Sequence, residues 1–289
     1  MQTVSGARTW AVEELKRARI DSPMLTGDLL LGFVLGWARV RLLSHTEQTI
    51  QDEMWSRFRI VVQRRSNGEP LQHLTGEQEF FGLAFRVTPD VLIPRPETEI
   101  LVEKALELIK SHGSSNVRFA DIGTGSGCIA ISIAREIPSS RGFAVDISFN
   151  ALNIAQENAK RHGVEGRIVF ARSDLLACFP EKPCLDFVFC NPPYIAMDEY
   201  DSLPSEVKNH EPHRALFGGK SGFDIYRRLI PEVSSRLVDG GYLLLELGAG
   251  QAQQVRRLVG KEGLSVQAIL NDLQGIPRCL VGRRTYREK

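Results

Sequence analysis

From residue 117 to residue 282, short apolar runs alternate with longer segments whose apolar residues recur at helical spacing, and no other feature restricts the fold as tightly. Strands are predicted near 117–122, 142–145, 167–171, 185–190, 241–247, 265–270 and 278–282, with helices over 126–136, 149–162, 222–237 and 250–260. A strand that reaches the next one through a helix pairs with it in parallel, and a sheet built this way carries helices on both faces. The last two strands are joined only by "NDLQGIP", too short for a helical crossover, so they form an antiparallel hairpin. The expected fold is α/β: a seven-stranded, mostly parallel sheet with an antiparallel last strand. No internal repeat and no low-complexity tract interrupts it.

Residues 1–77 have a different pattern. Apolar positions fall at helical spacing in "TWAVEELKRARI", "GDLLLGFVLGWA" and "MWSRFRIVVQRR", with "DSP" and "SHTEQT" as breakers, which predicts a small domain that is helical throughout. Residues 78–95 form a linker, because "EFFGLAFRVTPDVLIP" alternates apolar and polar residues around Gly82 and Pro89 as a short hairpin does. Residues 96–289 form the α/β domain. Its first helix opens at Pro96 with Glu97 and Glu99 at the positive end and stops at Gly113.

Charge narrows the partners. The 36 Lys and Arg balance 35 Asp and Glu, and over residues 1–77 the counts are ten against nine, whereas a nucleic-acid binder usually carries a basic excess or patch. Neither DNA nor RNA is expected as substrate. The five cysteines, Cys128, Cys178, Cys184, Cys190 and Cys279, include no C-x-x-C pair and are odd in number, as free thiols in a reducing compartment would be. The longest apolar stretch, around 29–38, is far shorter than the ~20 residues that span a bilayer. The N-terminus also lacks the charged-then-apolar pattern of a signal peptide, so a cytoplasmic protein without a membrane segment is expected.

The stretch "FADIGTGSGCIAISIA", residues 119–134, is a strand, a glycine turn and an apolar helix. Gly123, Gly125 and Gly127 permit positive φ and close approach of a ligand at the carboxyl edge of the sheet, where open α/β folds bind their ligands. The plainer alternative is a tight turn with no ligand. A dinucleotide fingerprint is disfavoured, since its third glycine would stand where Cys128 does. Asp146 ends the next strand about 20 residues on, the distance at which an acid meets ribose hydroxyls. Asp174, after the third strand, is placed to bond an adenine amine, with Leu175 beside the ring; a helix cap or turn is the plainer role for either acid. Acids beside a glycine loop suit a cationic ligand better than a pyrophosphate. The set resembles that of the class I S-adenosylmethionine-dependent methyltransferases, which are Rossmann-like.

"CNPPYIA", residues 190–196, leaves the fourth strand at the same edge. Two prolines stiffen the turn and remove backbone donors, so it offers acceptors and an aromatic surface but no nucleophile. A planar amide or aromatic amine is a poor nucleophile because its lone pair is delocalised, and methylating it requires a grip on both N–H bonds. The Asn191 side-chain oxygen and the Pro192 carbonyl can supply that grip, with Pro193 fixing their directions and Tyr194 stacking on the planar group. Both adenine-N6 and glutamine-amide methyltransferases carry this tetrapeptide, so alone it gives the reaction and leaves the substrate open.

Further segments narrow the choice. "RRSNGEPLQHLTGEQEFFGLAFRV", "LIPRPETEILVE", "DIGTGSGCIAISIA", "NPPYI" and "EPHRALFGGKSGFDIYRRLI" resemble the peptide-chain release-factor glutamine methyltransferases, the HemK/PrmC family, from about residue 64 to the C-terminus. The resemblance implies transfer of methyl from S-adenosylmethionine to the side-chain amide nitrogen, N5, of the glutamine in the Gly-Gly-Gln motif of class 1 release factors. It places Asp121, Gly123, Thr124, Gly125, Ser126, Gly127, Asp146, Asp174, Leu175 and Asn191 at the cofactor and Asn191, Pro192, Pro193 and Tyr194 at the glutamine. It also gives the helical domain the task of docking the release factor, and the enzyme is expected to act as a monomer. Leu175 departs from relatives with an aromatic there. The alternatives are an N6-adenine nucleic-acid methyltransferase and a ribosomal-protein glutamine methyltransferase, though "IPRPETE" is closer to the release-factor branch. Arg95 either touches ligand or is merely exposed, and Glu211 either covers the substrate or is a solvated loop acid. His210 and His213 have no third ligand near them in sequence, and no metal is expected.

Overall fold

The computed structural model describes residues 2–111 and 116–285, so the helix stop expected at Gly113 lies outside the described residues. The chain divides into two compact units, Met1–Glu77 with Pro204–His210, and Gln78–Leu203 with Glu211–Lys289.

The first unit comprises β1 (Gln2–Thr3), α1 (Val4–Arg17), α2 (Pro23–Leu35), α3 (Arg39–Ser44), β2 (Thr49–Ile50), α4 (Asp52–Ser66) and α5 (Leu71–Thr75). Thr3 caps α1 by accepting from the Gly6 amide at 3.1 Å. Val4, Ala7, Ala11 and Leu15 then fall on one face and pack with Leu30, Leu31, Phe58 and Val62. Buried Asp28 is held by Arg8 at 2.7 Å and Arg39 at 3.0 Å. The unit is not helical throughout, because β1 and β2 pair antiparallel. Two-residue strands are too short to show a period in sequence. Pro23, a breaker in the sequence reading, instead opens α2, where its missing N–H costs nothing. Residues 204–210 join this unit from far along the chain, Glu206 accepting from Arg65 at 2.9 Å.

The second unit begins with the hairpin of β3 (Glu77–Phe80) and β4 (Leu83–Arg86), which turns through Phe81 and Gly82, both at positive φ. A 3₁₀ turn, Pro96–Thr98, leads into α6 (Glu99–Ser111). Next come β5 (Arg118–Ile122), α7 (Cys128–Glu136), β6 (Arg141–Asp146), α8 (Phe149–Arg161), β7 (Ile168–Arg172) and β8 (Leu185–Cys190). Short helices α9 (Met197–Tyr200), α10 (Ser205–His210, of the first unit) and α11 (His213–Leu216) precede α12 (Asp224–Arg236), β9 (Leu237–Glu246), α13 (Ala252–Lys261), β10 (Leu264–Asn271) and β11 (Pro277–Arg284). Strand β9 starts at Leu237 rather than near 241: the Asp-Gly-Gly that reads as a break is absorbed as an irregularity, where the β8 register jumps from Leu185↔Leu237 to Phe187↔Tyr242.

The seven strands run in the order β10-β11-β9-β8-β5-β6-β7. Neighbours from β9 to β7 are parallel, and β11 is antiparallel to both β9 and β10. Alternation along β8 sends Phe187 and Phe189 to the core under α6 and α7, and Val188 and Cys190 to the core under α12 and α13. Both faces are thereby buried, which is why the strands read as continuous apolar runs. No helix among the described residues is long and apolar enough to cross a membrane.

Candidate active site

The sheet changes direction at β5, which has β6 on one side and β8 on the other, and a crevice opens beyond the carboxyl ends of such strands. Register fixes what stands there. Val145 pairs with Ile122, Ile122 with Cys190, and Cys190 with Leu245. The next residue on each strand is Asp146, Gly123, Asn191 and Glu246, so these four form a row across the sheet edge. A cavity of about 290 Å³ opens along it, with Gly123, Gly125, Asp146, Leu175, Asn191 and Pro193 in its wall.

The glycine loop is braced from beneath. Gly123 and Thr124 donate their amides to the Val145 carbonyl at 2.8 and 3.0 Å. Asp121, fully buried, accepts from the Thr124 hydroxyl at 2.7 Å and the Ala130 amide at 3.2 Å through one oxygen, and its other oxygen has no partner. Burial outweighs these bonds and pushes its carboxyl up to about 7. Gly123 and Gly125 have φ of 72° and 55°. A Cβ on Gly123 would meet no atom within 4 Å, so the space before it is open to a ligand. Gly127 has another task. At φ 83° it begins α7, and a Cβ there would lie 2.8 Å from Ile131 and 3.1 Å from Ala155, so its role is close packing of the helix. Asp121, Thr124, Ser126 and Gly127 support the loop and are not in the cavity wall. The Ser126 carbonyl accepts from Asn158 at 2.9 Å.

Asp146 accepts from the Gly125 amide at 3.0 Å through one oxygen and from the Ser148 amide at 2.8 Å through the other. Burial raises its carboxyl, against the pull of those two amides. Asp174 lies in the cavity wall, half exposed and paired through Oδ2 with Arg228 at 2.6 Å. Leu175 follows at φ 50°, a left-handed conformation that side chains disfavour. Backbone strain of this kind gathers at ligand sites.

Asn191 and Pro193 reach the cavity, while Pro192 and Tyr194 are not in its wall. The Tyr194 ring packs on the α12/α13 core, and burial pushes its hydroxyl up to about 12, so it stays neutral. The Tyr194 carbonyl accepts from Gln251 at 2.9 Å, and the Ile195 amide and carbonyl bond to Leu216 and Gly218 at 3.0 and 2.8 Å. Proline-free contacts from two later segments thus fix the turn.

Arg95 and Glu211 find each other. Glu211, buried, accepts from the Arg95 guanidinium and from the Ile93 amide at 3.1 Å, tying the loop after the N-P-P-Y turn to the "IPRPET" segment. It is therefore not a solvated loop acid. The His213 ring lies between Tyr200 and Phe217, with centroids at 4.8 and 5.0 Å. His210 belongs to α10 in the other unit. The described residues contain no group of three metal-ligating side chains.

Two buried residues at this site went unread in the sequence. The Asn191 amide nitrogen donates to the Thr98 hydroxyl at 3.3 Å, and that hydroxyl donates to the Glu246 carboxylate at 2.6 Å. Burial pushes the Glu246 carboxyl up to about 7. An acid closing the apolar run "GYLLLELG" is the same signal that singled out Asp146, and it identifies Glu246 as well.

Two family models match the chain: the PrmC N-terminal domain over residues 6–76 and the methyltransferase small domain over residues 98–205. A release factor glutamine methyltransferase of Koribacter versatilis is 42% identical over 282 residues, 98% of this chain and 99% of its own length. Another from Bradyrhizobium diazoefficiens is 38% identical over 285 residues, covering 98% and 95%. A methyltransferase structure from Pyrococcus furiosus superposes with a TM-score of 0.53 at 20% identity, covering 72% of this chain and 91% of that one, a likeness of fold.

Proposed function

The chain belongs to the release factor glutamine methyltransferases, and from that premise we propose that it transfers a methyl group from S-adenosylmethionine to the side-chain amide nitrogen, N5, of the Gly-Gly-Gln glutamine in a class 1 release factor. The observation that carries this reading is the strand register, which sets Asn191 next to Gly123 at the wall of one cavity. An amide-gripping turn and a ligand-binding glycine loop within one residue's width is what amide methylation needs.

The residues present fit the cofactor. Open space before Gly123, the two acceptor oxygens of Asp146 and the apolar side of Leu175 suit an amino-acid sulfonium, a ribose and a flat base in turn. Asp174 keeps its Oδ1 for an adenine amine while Oδ2 stays with Arg228. Bound S-adenosylmethionine supplies an electrophilic methyl on a sulfonium sulfur. The chain's own residues prepare the nucleophile. Asn191 Oδ1, which has no hydrogen-bond partner among the described residues, accepts one N–H bond of the glutamine amide, and the carbonyl of Pro192, behind the cavity wall between Asn191 and Pro193, is the second acceptor, which leaves the nitrogen lone pair facing the donor. No base is needed before attack, because the nitrogen becomes acidic only as the methyl arrives. The chain's acids stay out of that step: Asp121 is buried under the loop and Glu246 is taken up by Thr98.

The unit of residues 1–77 is proposed to dock the release factor. Helix α2 leaves Leu25, Leu29 and Phe33 exposed at four-residue spacing, one apolar stripe of the kind a protein partner covers. Residues 78–95 are proposed as the linker to the transfer domain of 96–289.

Two measurements test these assignments. Tritiated methyl is expected to pass to a purified release factor and to vanish when its Gly-Gly-Gln glutamine is replaced; transfer to duplex DNA instead contradicts the reading. Asp146→Ala is expected to weaken S-adenosylmethionine binding by about 10–100-fold, since it removes a charged acceptor worth about 1.5–3 kcal/mol. Calorimetry showing unchanged affinity would remove Asp146 from the cofactor site.

A further inference from the structure

Asn191 serves the reaction only if its oxygen, not its nitrogen, faces the substrate amide. We infer that Thr98 and Glu246 are positioning residues that set this orientation through the chain Asn191–Thr98–Glu246, an assignment that rests on Asn191 being the acceptor for the glutamine N–H. Thr98 and Glu246 are each 2% exposed, so water does not compete for their bonds. An ionised carboxylate only accepts, and a hydroxyl has a single proton. With that proton given to Glu246 at 2.6 Å, the Thr98 oxygen can only accept, and the atom of Asn191 turned toward it at 3.3 Å must be nitrogen. Asn191 Oδ1 is left directed elsewhere, free to take a substrate N–H. With Glu246 ionised, one hydroxyl proton and one carboxylate dictate that orientation.

Protonating Glu246 reverses the chain. The acid now donates to Thr98, whose own proton is released toward Asn191, and the amide turns its oxygen inward and its nitrogen out. Donors then face donors. The surroundings set where this happens. Arg278 on β11 and Arg95 before the 3₁₀ turn favour the carboxylate, while burial and Glu97 oppose it and place its titration at about 7. Cys190 on β8, Tyr194 in the turn after it and Tyr226 on α12 lie in its field, with Cys128 on α7 and Cys279 on β11, and burial keeps all five neutral. Tyr226 also donates to the Glu246 carbonyl at 2.8 Å, which holds the backbone still. Because the ionised form is the competent one, kcat is expected to fall as pH drops through the neutral range.

The test compares Thr98→Val with Thr98→Ser. Valine keeps the shape and removes the relay, so kcat for release-factor methylation is expected to fall about tenfold, the worth of one buried hydrogen bond. Valine also deprives the buried Glu246 carboxylate of a hydrogen bond, so the Tm is expected to fall and kcat is read where the variant is folded. Calorimetric affinity for S-adenosylmethionine is expected to change little, and serine to recover most of both losses. The more specific readout is the pH profile. Wild type loses kcat on the acid side, while Thr98→Val is low and flat, since protonation of Glu246 no longer reaches Asn191. Glu246→Gln reads the same relay from its other end and is also expected to be flat. Wild-type kcat in Thr98→Val, or an unaltered acid limb in both variants, overturns the inference. A wild type that methylates no release factor overturns the functional reading, and this one with it, so the two failures are distinct.

Discussion

Asn191→Ala is expected to lower kcat for release-factor methylation several hundredfold while weakening S-adenosylmethionine binding far less. The asparagine oxygen is one of two acceptors proposed to hold the glutamine N–H bonds, and its contribution grows as the amide nitrogen gains positive charge in the transition state. A preorganised polar group aimed at developing charge is worth about 3 kcal/mol, or a few hundredfold in rate. Alanine also leaves the buried Thr98 oxygen without its donor, a small cost to stability, since that hydroxyl keeps its bond to Glu246. Single-turnover kinetics separate the effects: a loss confined to KM would mean that Asn191 only binds substrate, and an unchanged kcat would remove it from the chemistry.

The second large effect is expected at Gly222, a glycine of the "EPHRALFGGKSGFDIYRRLI" segment that has no role of its own in the sequence reading. Gly222 has φ 75°, and a Cβ on it would lie 2.5 Å from the Tyr194 carbonyl oxygen and 2.8 Å from Gln251 Nε2. Those two atoms are bonded to each other at 2.9 Å, and Gln251 is in turn fixed by the Gly248 amide at 3.2 Å. An added methyl has nowhere to go except by moving the backbone of the turn that carries Asn191. Gly222→Ala is therefore expected to cost about 2 kcal/mol of stability, from the strained φ and the clash together. It is also expected to cut kcat about a hundredfold, because catalytic groups displaced by an ångström lose that much. Thermal melts and kinetics at a temperature where the variant is folded test both parts. A stable variant with wild-type kcat would show that the turn is not held by this clamp.

The strand-helix alternation that organises residues 117–282 was legible because both faces of the sheet are buried, which writes strands as apolar runs and helices as periodic ones. The glycine loop and the N-P-P-Y turn were legible for a related reason. Each directly follows a strand, so their shared edge can be read without coordinates. Register between strands distant in sequence cannot be read that way. That β9 lies beside β8, and so sets Glu246 next to Asn191, is a consequence of the sheet order and appears only in the fold. Thr98 was hidden in the same manner, since it reaches Asn191 from 93 positions away.

Side-chain direction was the other gap. Tyr194 reads as an aromatic presented to a substrate, and the sequence does not show that its ring also packs, partly buried, against the α12/α13 core, on a turn pinned by Gln251, Leu216 and Gly218. Gly127 reads like its two neighbours and differs from them only in having Ile131 and Ala155 against it. Arg95 and Glu211, which sequence left with no settled role, satisfy each other across 116 positions, a pairing that no local pattern announces.

The most direct test is fragmentation mass spectrometry of a class 1 release factor after incubation with this protein and S-adenosylmethionine. One methyl group on the side-chain nitrogen of the Gly-Gly-Gln glutamine, absent with Asn191→Ala, is the predicted result. A methyl group on any other atom, or undiminished glutamine methylation by Asn191→Ala, would contradict it.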